Sequence, residues 1–202
     1  MAVPIEWNLS GKTALITADR RGWTPFFAAA LAEAGADVVV AGSATSELEN
    51  SVKEIERKGR RGLPIITDIT STHDIELMVE QVKSELGKID ILVNNATAEF
   101  AKPFLEVTEW EWDTLMAFNV KSVFLCSQAI GRFMIETGGG RIVNISSGLS
   151  VRGLWNSTVS CAGEGAIHQL TSALALEWGR KNIRVNSIGA GWMTTEQQTE
   201  AS

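Results

Sequence analysis

Short apolar runs alternate with longer helical patterns along most of the chain. Runs that are typical of buried strands lie at 12–17, 37–42, 63–68, 89–96, 141–147 and 183–191. Apolar residues recur at helical spacing over 25–35, 46–59, 72–87, 109–136 and 157–179. This alternation predicts a parallel sheet that is covered by helices on both faces. We therefore expect one doubly wound α/β domain over residues 1–202, with a polar tail from about residue 194.

Two of the predicted helices are apolar on most of their faces. They span residues 109–136 and 165–178. An outer helix needs only one apolar face to cover its own sheet, so a second apolar face requires another partner. We expect these helices to form the contact between copies of the chain in a homo-oligomer. Deep burial within the monomer is the alternative, and the sequence alone leaves it open.

Composition excludes several classes of protein. The 202 residues are 45% hydrophobic, which excludes disorder, and the net charge of −6 argues against binding nucleic acid or an anionic membrane. No window approaches about 18 apolar residues, so we expect no membrane span, no signal peptide and a cytoplasmic location. Cys126 and Cys161 are expected to be buried free thiols. The two histidines and two cysteines form no cluster that predicts a metal site.

Several motifs follow one another in a specific order. They are TALITADRRGWT (13–24), DIT (68–70), NNA (94–96), NVKS (119–122), RIVNISS (141–147) and IRVNSIGAGWMTTE (183–196). From about residue 9 to 196 the chain thereby resembles the short-chain dehydrogenase/reductase family. The resemblance implies a Rossmann-type sheet of order 3-2-1-4-5-6 and hydride transfer between NAD or NADP and an alcohol or carbonyl. The family continues with a substrate lid and a seventh strand, so we expect both to be absent and the sixth strand to form an exposed edge.

The resemblance places three glycines in the turn after the first strand, where they admit the pyrophosphate of the cofactor. The matching residues here are Ala18, Gly22 and Thr24, so one glycine of three remains. Thr24 followed by Pro25 is typical of a helix cap and a first helical residue, and the proline removes an amide donor for phosphate. The resemblance therefore implies NADP or NAD as the cofactor, with weakened binding.

The choice between the two cofactors depends on residues near the adenine ribose. Ser43 stands where the family places an acidic or a basic residue after the second strand. Arg20 and Arg21 lie in the phosphate turn and favour a 2′-phosphate, and hence NADP, although two solvated surface arginines are the alternative. Thr97 replaces a glycine of the family, and we expect its side chain to crowd the ribose. The other matches to cofactor-contacting positions are Asp68, Ile69, Asn94, Ala96 and Thr195.

The catalytic residues of the family are an asparagine, a serine, a tyrosine and a lysine. Asn119 and Ser147 match the first two of these. Ser160 and Glu164 occupy the tyrosine and lysine positions, and the chain contains no tyrosine. A serine hydroxyl is shorter than a phenol and a weaker acid, and a carboxylate raises the pKa of a nearby acid. We expect these substitutions to abolish or strongly impair the reaction of the family.

Replacement chemistry has little support in the sequence. His168 lies one helical turn beyond Glu164 and is expected to be structural, while the carboxylate of Glu164 disfavours a reactive thiolate at Cys161. Three hypotheses follow for the function. The first is a working NAD(P)-dependent oxidoreductase, which the ancestry supports and the replaced catalytic residues and glycines oppose. The second is a catalytically inactive scaffold that binds a nucleotide, itself or a full-length relative. The third is a truncated or altered form of an active enzyme, with no function of its own.

Overall fold

The sheet is parallel and has the predicted strand order. A computed structural model describes residues 7–18 and 22–191. In these ranges the strands are β1 (Thr13–Thr17), β2 (Asp37–Gly42), β3 (Gly62–Ile66), β4 (Ile91–Asn94), β5 (Gly140–Ser147) and β6 (Ile183–Ala190). Their order across the sheet is β3-β2-β1-β4-β5-β6. The order reverses between β1 and β4, which is where sheets of this kind bind their ligands.

Helices connect successive strands and cover both faces of the sheet. They are α1 (Thr24–Glu33), α2 (Thr45–Arg57), α3 (Thr72–Leu86), α4 (Glu109–Met116), α5 (Ser122–Glu136) and α6 (Thr158–Trp178). The helix predicted over 109–136 is interrupted by a π-helical turn at Ala117–Lys121. Apolar residues continue through this turn, so the sequence pattern does not reveal the interruption. None of the helices in the described ranges is both long enough and apolar enough to span a bilayer.

Alternate side chains of β1 enter the two halves of the core. Leu15 packs among buried residues of β4, α3 and α5, whereas Ile16 packs among buried residues of α1 and α2. Because strand side chains alternate between the two faces, one short strand anchors both layers of helices.

Cys126 lies fully inside the first half of the core, and burial raises the pKa of its thiol to about 12. Cys161 is only half-buried, so the expectation of a buried thiol is wrong at that position.

The start of α1 differs by one residue from the prediction. Trp23 occupies the capping position, and Thr24 is the first residue of the helix. Thr24 is fully buried, and its hydroxyl oxygen accepts a hydrogen bond of 3.2 Å from the side-chain amide of Asn95. The residue predicted to be a helix cap is therefore a buried link between α1 and the segment that follows β4.

β6 forms one margin of the sheet. All of its residues from Ile183 to Ala190 pair with β5. Among the residues that the structure describes, no strand pairs with its other edge. The expectation of an exposed edge concerns this side of β6, and the residues after 191 lie outside the described ranges.

Candidate nucleotide and catalytic site

One threonine side chain joins the carboxyl ends of β1 and β4. The hydroxyl oxygen of Thr17 accepts hydrogen bonds from the backbone amides of Asn95 (3.0 Å) and Ala96 (3.1 Å). These bonds hold the segment after β4 beside the end of β1, and Ala96 is buried there. The sequence does not distinguish Thr17, because a threonine in this role has the same pattern as any strand threonine.

Asn94 belongs to a buried polar network that crosses the sheet. Its side-chain amide donates to the hydroxyl of Ser127 on α5 (3.0 Å) and to the side-chain oxygen of Asn144 on β5 (2.8 Å). Asn144 in turn donates to the hydroxyl of Thr171 on α6 at 2.8 Å. The network ties two strands to two helices, so Asn94 has a structural role that is independent of any cofactor.

The side chains that replace glycines of the family lie inside the protein. Ala18 and Thr97 are 6% and 7% exposed, and Thr24 is fully buried. A threonine side chain that projected into an open groove would be exposed, so the burial of Thr97 argues against the expected crowding of the ribose. Gly22 is retained with a φ of +81°, a conformation that favours glycine.

Asp68 and Ile69 lie just beyond the end of β3, where the adenine contacts are predicted. Asp68 is exposed, and its Oδ1 accepts hydrogen bonds from the amide (2.8 Å) and the hydroxyl (2.7 Å) of Thr70. Ile69 is buried, and Ser43 is exposed directly after β2. Arg20, Arg21 and Thr195, which the sequence also assigns to the cofactor, lie outside the described residues.

Asn119 lies in the π-helical turn between α4 and α5. Its Nδ2 donates to the carbonyl oxygen of Ala98 at 2.9 Å, and its Oδ1 accepts from the amide of the same residue at 2.8 Å. This pair of bonds fastens the segment after β4 to the helix. Turns of this type are frequent at functional sites because they alter the direction of the side chains they carry.

Ser160, at the tyrosine position of the family, contacts the same segment. Its hydroxyl donates a hydrogen bond of 2.9 Å to the carbonyl oxygen of Phe100. This hydrogen bond connects α6 to the segment after β4, which Asn119 also holds through Ala98. The sequence did not indicate Phe100 or Ala98, because both take part through backbone atoms, which have no residue signature.

Glu164, at the lysine position, is bonded to the end of β5. Its Oε2 accepts hydrogen bonds from the hydroxyl of Ser146 (2.8 Å) and the backbone amide of Ser147 (3.0 Å). The hydroxyl oxygen of Ser147 accepts from the amide of Leu149 at 3.2 Å. The fold thus brings the four predicted catalytic positions to one region, with a carboxylate where the family has an ammonium group.

Two further candidate residues on α6 take no part in this arrangement. The thiol of Cys161 lies 3.7 Å from the carbonyl oxygen of Arg152, and His168 is exposed. Within residues 7–18 and 22–191, no group of histidine, cysteine and acidic residues could hold a metal ion.

Two buried oxygen atoms near the carboxyl ends of the strands are compatible with a bound nucleotide. The side-chain oxygens of Thr67, after β3, and Asn95, after β4, are buried and have no hydrogen-bond partner in the described part of the chain. Buried polar atoms are normally paired, so these oxygens leave acceptor capacity for a ligand at this edge of the sheet.

Two relatives of known activity cover nearly all of this chain. The 5-keto-D-gluconate 5-reductase of Escherichia coli K12 is 35% identical over 190 residues, which cover 94% of this chain and 75% of the relative. The 2-dehydro-3-deoxy-D-gluconate 5-dehydrogenase of Dickeya dadantii is 40% identical over 190 residues, which cover 94% and 74%.

Solved structures show the same fold. A short-chain type dehydrogenase/reductase from Mycobacterium marinum has a TM-score of 0.88 at 36% identity, and the match covers 92% of this chain and 76% of the other chain. NAD⁺-bound xylitol dehydrogenase has a TM-score of 0.87 at 31% identity, and the match covers 96% of this chain and 75% of the other chain. The model of the family described as short chain dehydrogenase matches residues 12–202. This protein therefore belongs to the short-chain dehydrogenase/reductase family.

Proposed function

We propose that this chain keeps the scaffold of an NAD(P)-dependent oxidoreductase but is catalytically inactive or strongly impaired. The observation that carries the proposal is the contact of Glu164 with Ser146 and Ser147. A lysine at this position provides the positive charge on which the chemistry of the family depends. Here two hydrogen bonds hold a carboxylate in its place.

The reduction of a carbonyl needs a proton at the oxygen atom. A bound nicotinamide cofactor supplies the hydride. The proton comes from an acid whose pKa is close to the working pH. Ser160 is a weak acid, and its hydroxyl already donates a hydrogen bond to the carbonyl oxygen of Phe100. The negative charge of Glu164 disfavours the loss of a proton from any acid beside it. Ser147 retains a hydroxyl that can orient a carbonyl, but orientation alone does not deliver the proton.

The proposed cofactor is NADP or NAD, bound with reduced affinity at the carboxyl ends of β1, β2 and β4. Gly22 has a positive φ that favours glycine, and the side chains of Ala18 and Thr24 are buried, which supports a nucleotide site. Ser43 carries no charge, so it offers neither an acid for a ribose hydroxyl nor a base for a 2′-phosphate.

A second candidate function is non-enzymatic binding to another copy of the chain or to a full-length relative. Phe124 on α5 and Leu176 on α6 are 45% and 85% exposed. The two helices are neighbours, since Gly131 of α5 lies against the ring of Trp178 on α6. Exposed large apolar side chains on adjacent helices are typical of protein–protein interfaces. The proposed homo-oligomer buries them, and the free thiols of Cys126 and Cys161 support a reducing, cytoplasmic location.

Titration of NADH and NADPH into the unaltered protein, followed by fluorescence or calorimetry, tests the nucleotide site. 5-Keto-D-gluconate is the first carbonyl compound to assay, because a relative that is 35% identical is named for its reduction. We expect weak, saturable binding and no turnover above that of buffer. Turnover at ordinary enzymatic rates, roughly 1–10³ s⁻¹, would contradict the proposed inactivity. Absence of binding up to millimolar nucleotide would exclude the nucleotide site and leave the non-enzymatic function.

A further inference from the structure

The ends of β1 and β2 approach each other closely at one pair of small residues. The strands are parallel neighbours, and beyond their last paired residues the amide of Ala18 donates to the carbonyl oxygen of Ala41 at 2.8 Å. A Cβ atom added to Gly42 would lie 2.7 Å from the Cβ of Ala18. Carbon atoms that are not bonded prefer a separation of about 3.5–4.0 Å, so the two positions cannot both carry a side chain in this geometry.

The backbone around this pair is held from both sides. On one side is the bond from Ala18 to β2, and on the other the amide of Thr67 donates to the carbonyl oxygen of Gly42 at 3.0 Å. Ala18 and Gly42 are both buried. Because β2 is fixed between β1 and the end of β3, it cannot move aside to relieve a clash at position 42.

The end of the second strand has a special role in dinucleotide-binding folds. An acidic side chain there accepts a hydrogen bond from the 2′-hydroxyl of the adenine ribose in NAD. In this chain the strand ends with Gly42, and the exposed Ser43 follows. Any acidic side chain at position 42 begins with a Cβ atom, and that atom meets the methyl group of Ala18.

We infer that Ala18 and Gly42 are a coupled pair in which the methyl group at position 18 excludes every side chain, including an acidic one, from position 42, so that Ser43 is the first position after Ala41 that can present a side chain to the ribose. The inference rests on the nucleotide site of the proposed function. The excluded carboxylate would repel a 2′-phosphate, so the pair lets this chain accept the 2′-phosphorylated dinucleotide at least as well as the unphosphorylated one. Ala18 thus influences cofactor choice through its neighbour, and it need not touch the ribose.

Unfolding experiments test the coupling without any ligand. The unaltered protein, Gly42→Ala, Ala18→Gly and the double variant are compared by thermal denaturation. We expect Gly42→Ala to lower the melting temperature by about 2–10 °C when alanine is present at position 18. The double variant should regain the stability of Ala18→Gly or exceed it, because Gly42 does not have the positive φ that would strain an alanine.

Gly189→Ala is the matched control for these measurements. This strand glycine also lacks a positive φ, and the nearest atom to an added Cβ is the carbonyl oxygen of Ser147 at 3.9 Å. The control should leave the melting temperature unchanged. An equal loss for Gly42→Ala in both backgrounds, or no loss with Ala18 present, would overturn the coupled pair.

Nucleotide titration tests the consequence for cofactor choice. NAD⁺ and NADP⁺ are titrated into Ala18→Gly, Gly42→Asp and the double variant that carries both changes. We expect the double variant to bind NAD⁺ about tenfold more tightly than Ala18→Gly and to bind NADP⁺ more weakly. An equal gain for Gly42→Asp alone would contradict the inference. If none of these proteins binds a nucleotide, the proposed nucleotide site and the cofactor consequence both fail, while the unfolding data still decide the steric coupling.

Discussion

The carboxylate of Glu164 accepts a hydrogen bond of 3.0 Å from the backbone amide of Ser147. The same oxygen accepts a second bond from the hydroxyl of Ser146. One acidic side chain on α6 thereby holds the end of β5, at the serine that the sequence predicts to be catalytic. Glu164 therefore has a structural contact, whatever its part in the chemistry.

Loss of this carboxylate should destabilise the protein. Glu164→Ala leaves the buried hydroxyl of Ser146 and the amide of Ser147 without their acceptor, which costs about 1–3 kcal/mol. Glu164→Gln keeps one acceptor oxygen and should cost less. Urea denaturation measures both, with Glu177→Ala on the exposed face of α6 as the control. A loss no larger than that of the control would show that the contact contributes nothing to stability.

Restoring the proton donor and its cation should produce activity. The double variant Ser160→Tyr with Glu164→Lys supplies a phenol and a neighbouring ammonium group, which lowers the pKa of the phenol towards the working pH. We expect NADPH- or NADH-dependent reduction of 5-keto-D-gluconate by the double variant only. Each single variant and the unaltered protein serve as controls. Equal turnover by the unaltered protein would mean that the reaction does not need the pair.

The contact between α5 and α6 should not tolerate a methyl group at Gly131. A Cβ atom there would lie 2.6 Å from Cη2 of the buried Trp178 ring. The expected net loss of stability is about 1 kcal/mol, because overpacking outweighs the better helix propensity of alanine. Gly179→Ala is the control, since an added Cβ would meet nothing within 4 Å. Denaturation midpoints that are unchanged for both variants would contradict the prediction.

Stability should depend on Glu111 at low pH. Lys102 donates a hydrogen bond to this carboxylate, as do the amide and hydroxyl of Thr108, and together they lower its pKa from 4.5 to about 2. Because the folded-state pKa is the lower one, the contribution is complete above about pH 4.5 and is lost as the pH falls towards 2. Glu111→Gln should flatten the dependence of the melting temperature on pH in this window. Glu109→Gln, in the same turn of α4, is the matched control for removing one carboxylate, and an equal effect of both variants would contradict the prediction.

The proposed oligomer should depend on the exposed apolar residues of α5 and α6. Phe124→Asp places a charge in the proposed contact and should shift the molecular mass in light scattering towards that of the monomer. Phe26→Asp is the control, because Phe26 is 65% exposed on α1, away from these helices. If the unaltered protein is a monomer at high concentration, that result would contradict the proposed oligomer.

Most of the fold could be predicted, because the spacing of apolar residues along the chain indicates each strand and helix. The strand predicted at 37–42 matches β2 at both ends, and the helix predicted at 72–87 matches α3 to within one residue. The π-helical turn at Ala117–Lys121 could not be predicted, because the predicted helix is apolar on most of its faces and a shift of one residue leaves no visible break in such a pattern. The sequence predicts a helix cap at Thr24, because the hydrogen bond that this residue accepts comes from Asn95, which is distant along the chain and leaves no local signal.

The candidate site divides in the same way. The order and spacing of the motifs predict four catalytic positions, at Asn119, Ser147, Ser160 and Glu164, even though two of the residue types differ from those of the family. Their partners at Ala98 and Phe100 were missed, since the bonds go to backbone atoms.

The sequence by itself determined the order of strands and helices, the family and the identity of the groups at each catalytic position. Only the tertiary structure decided that Glu164 is bonded to β5 and that Ala18 stands against Gly42. The physical reason is distance along the chain. Periodicity and propensity act between near neighbours, whereas a hydrogen bond or a steric clash between separate elements exists only after the sheet has brought them together.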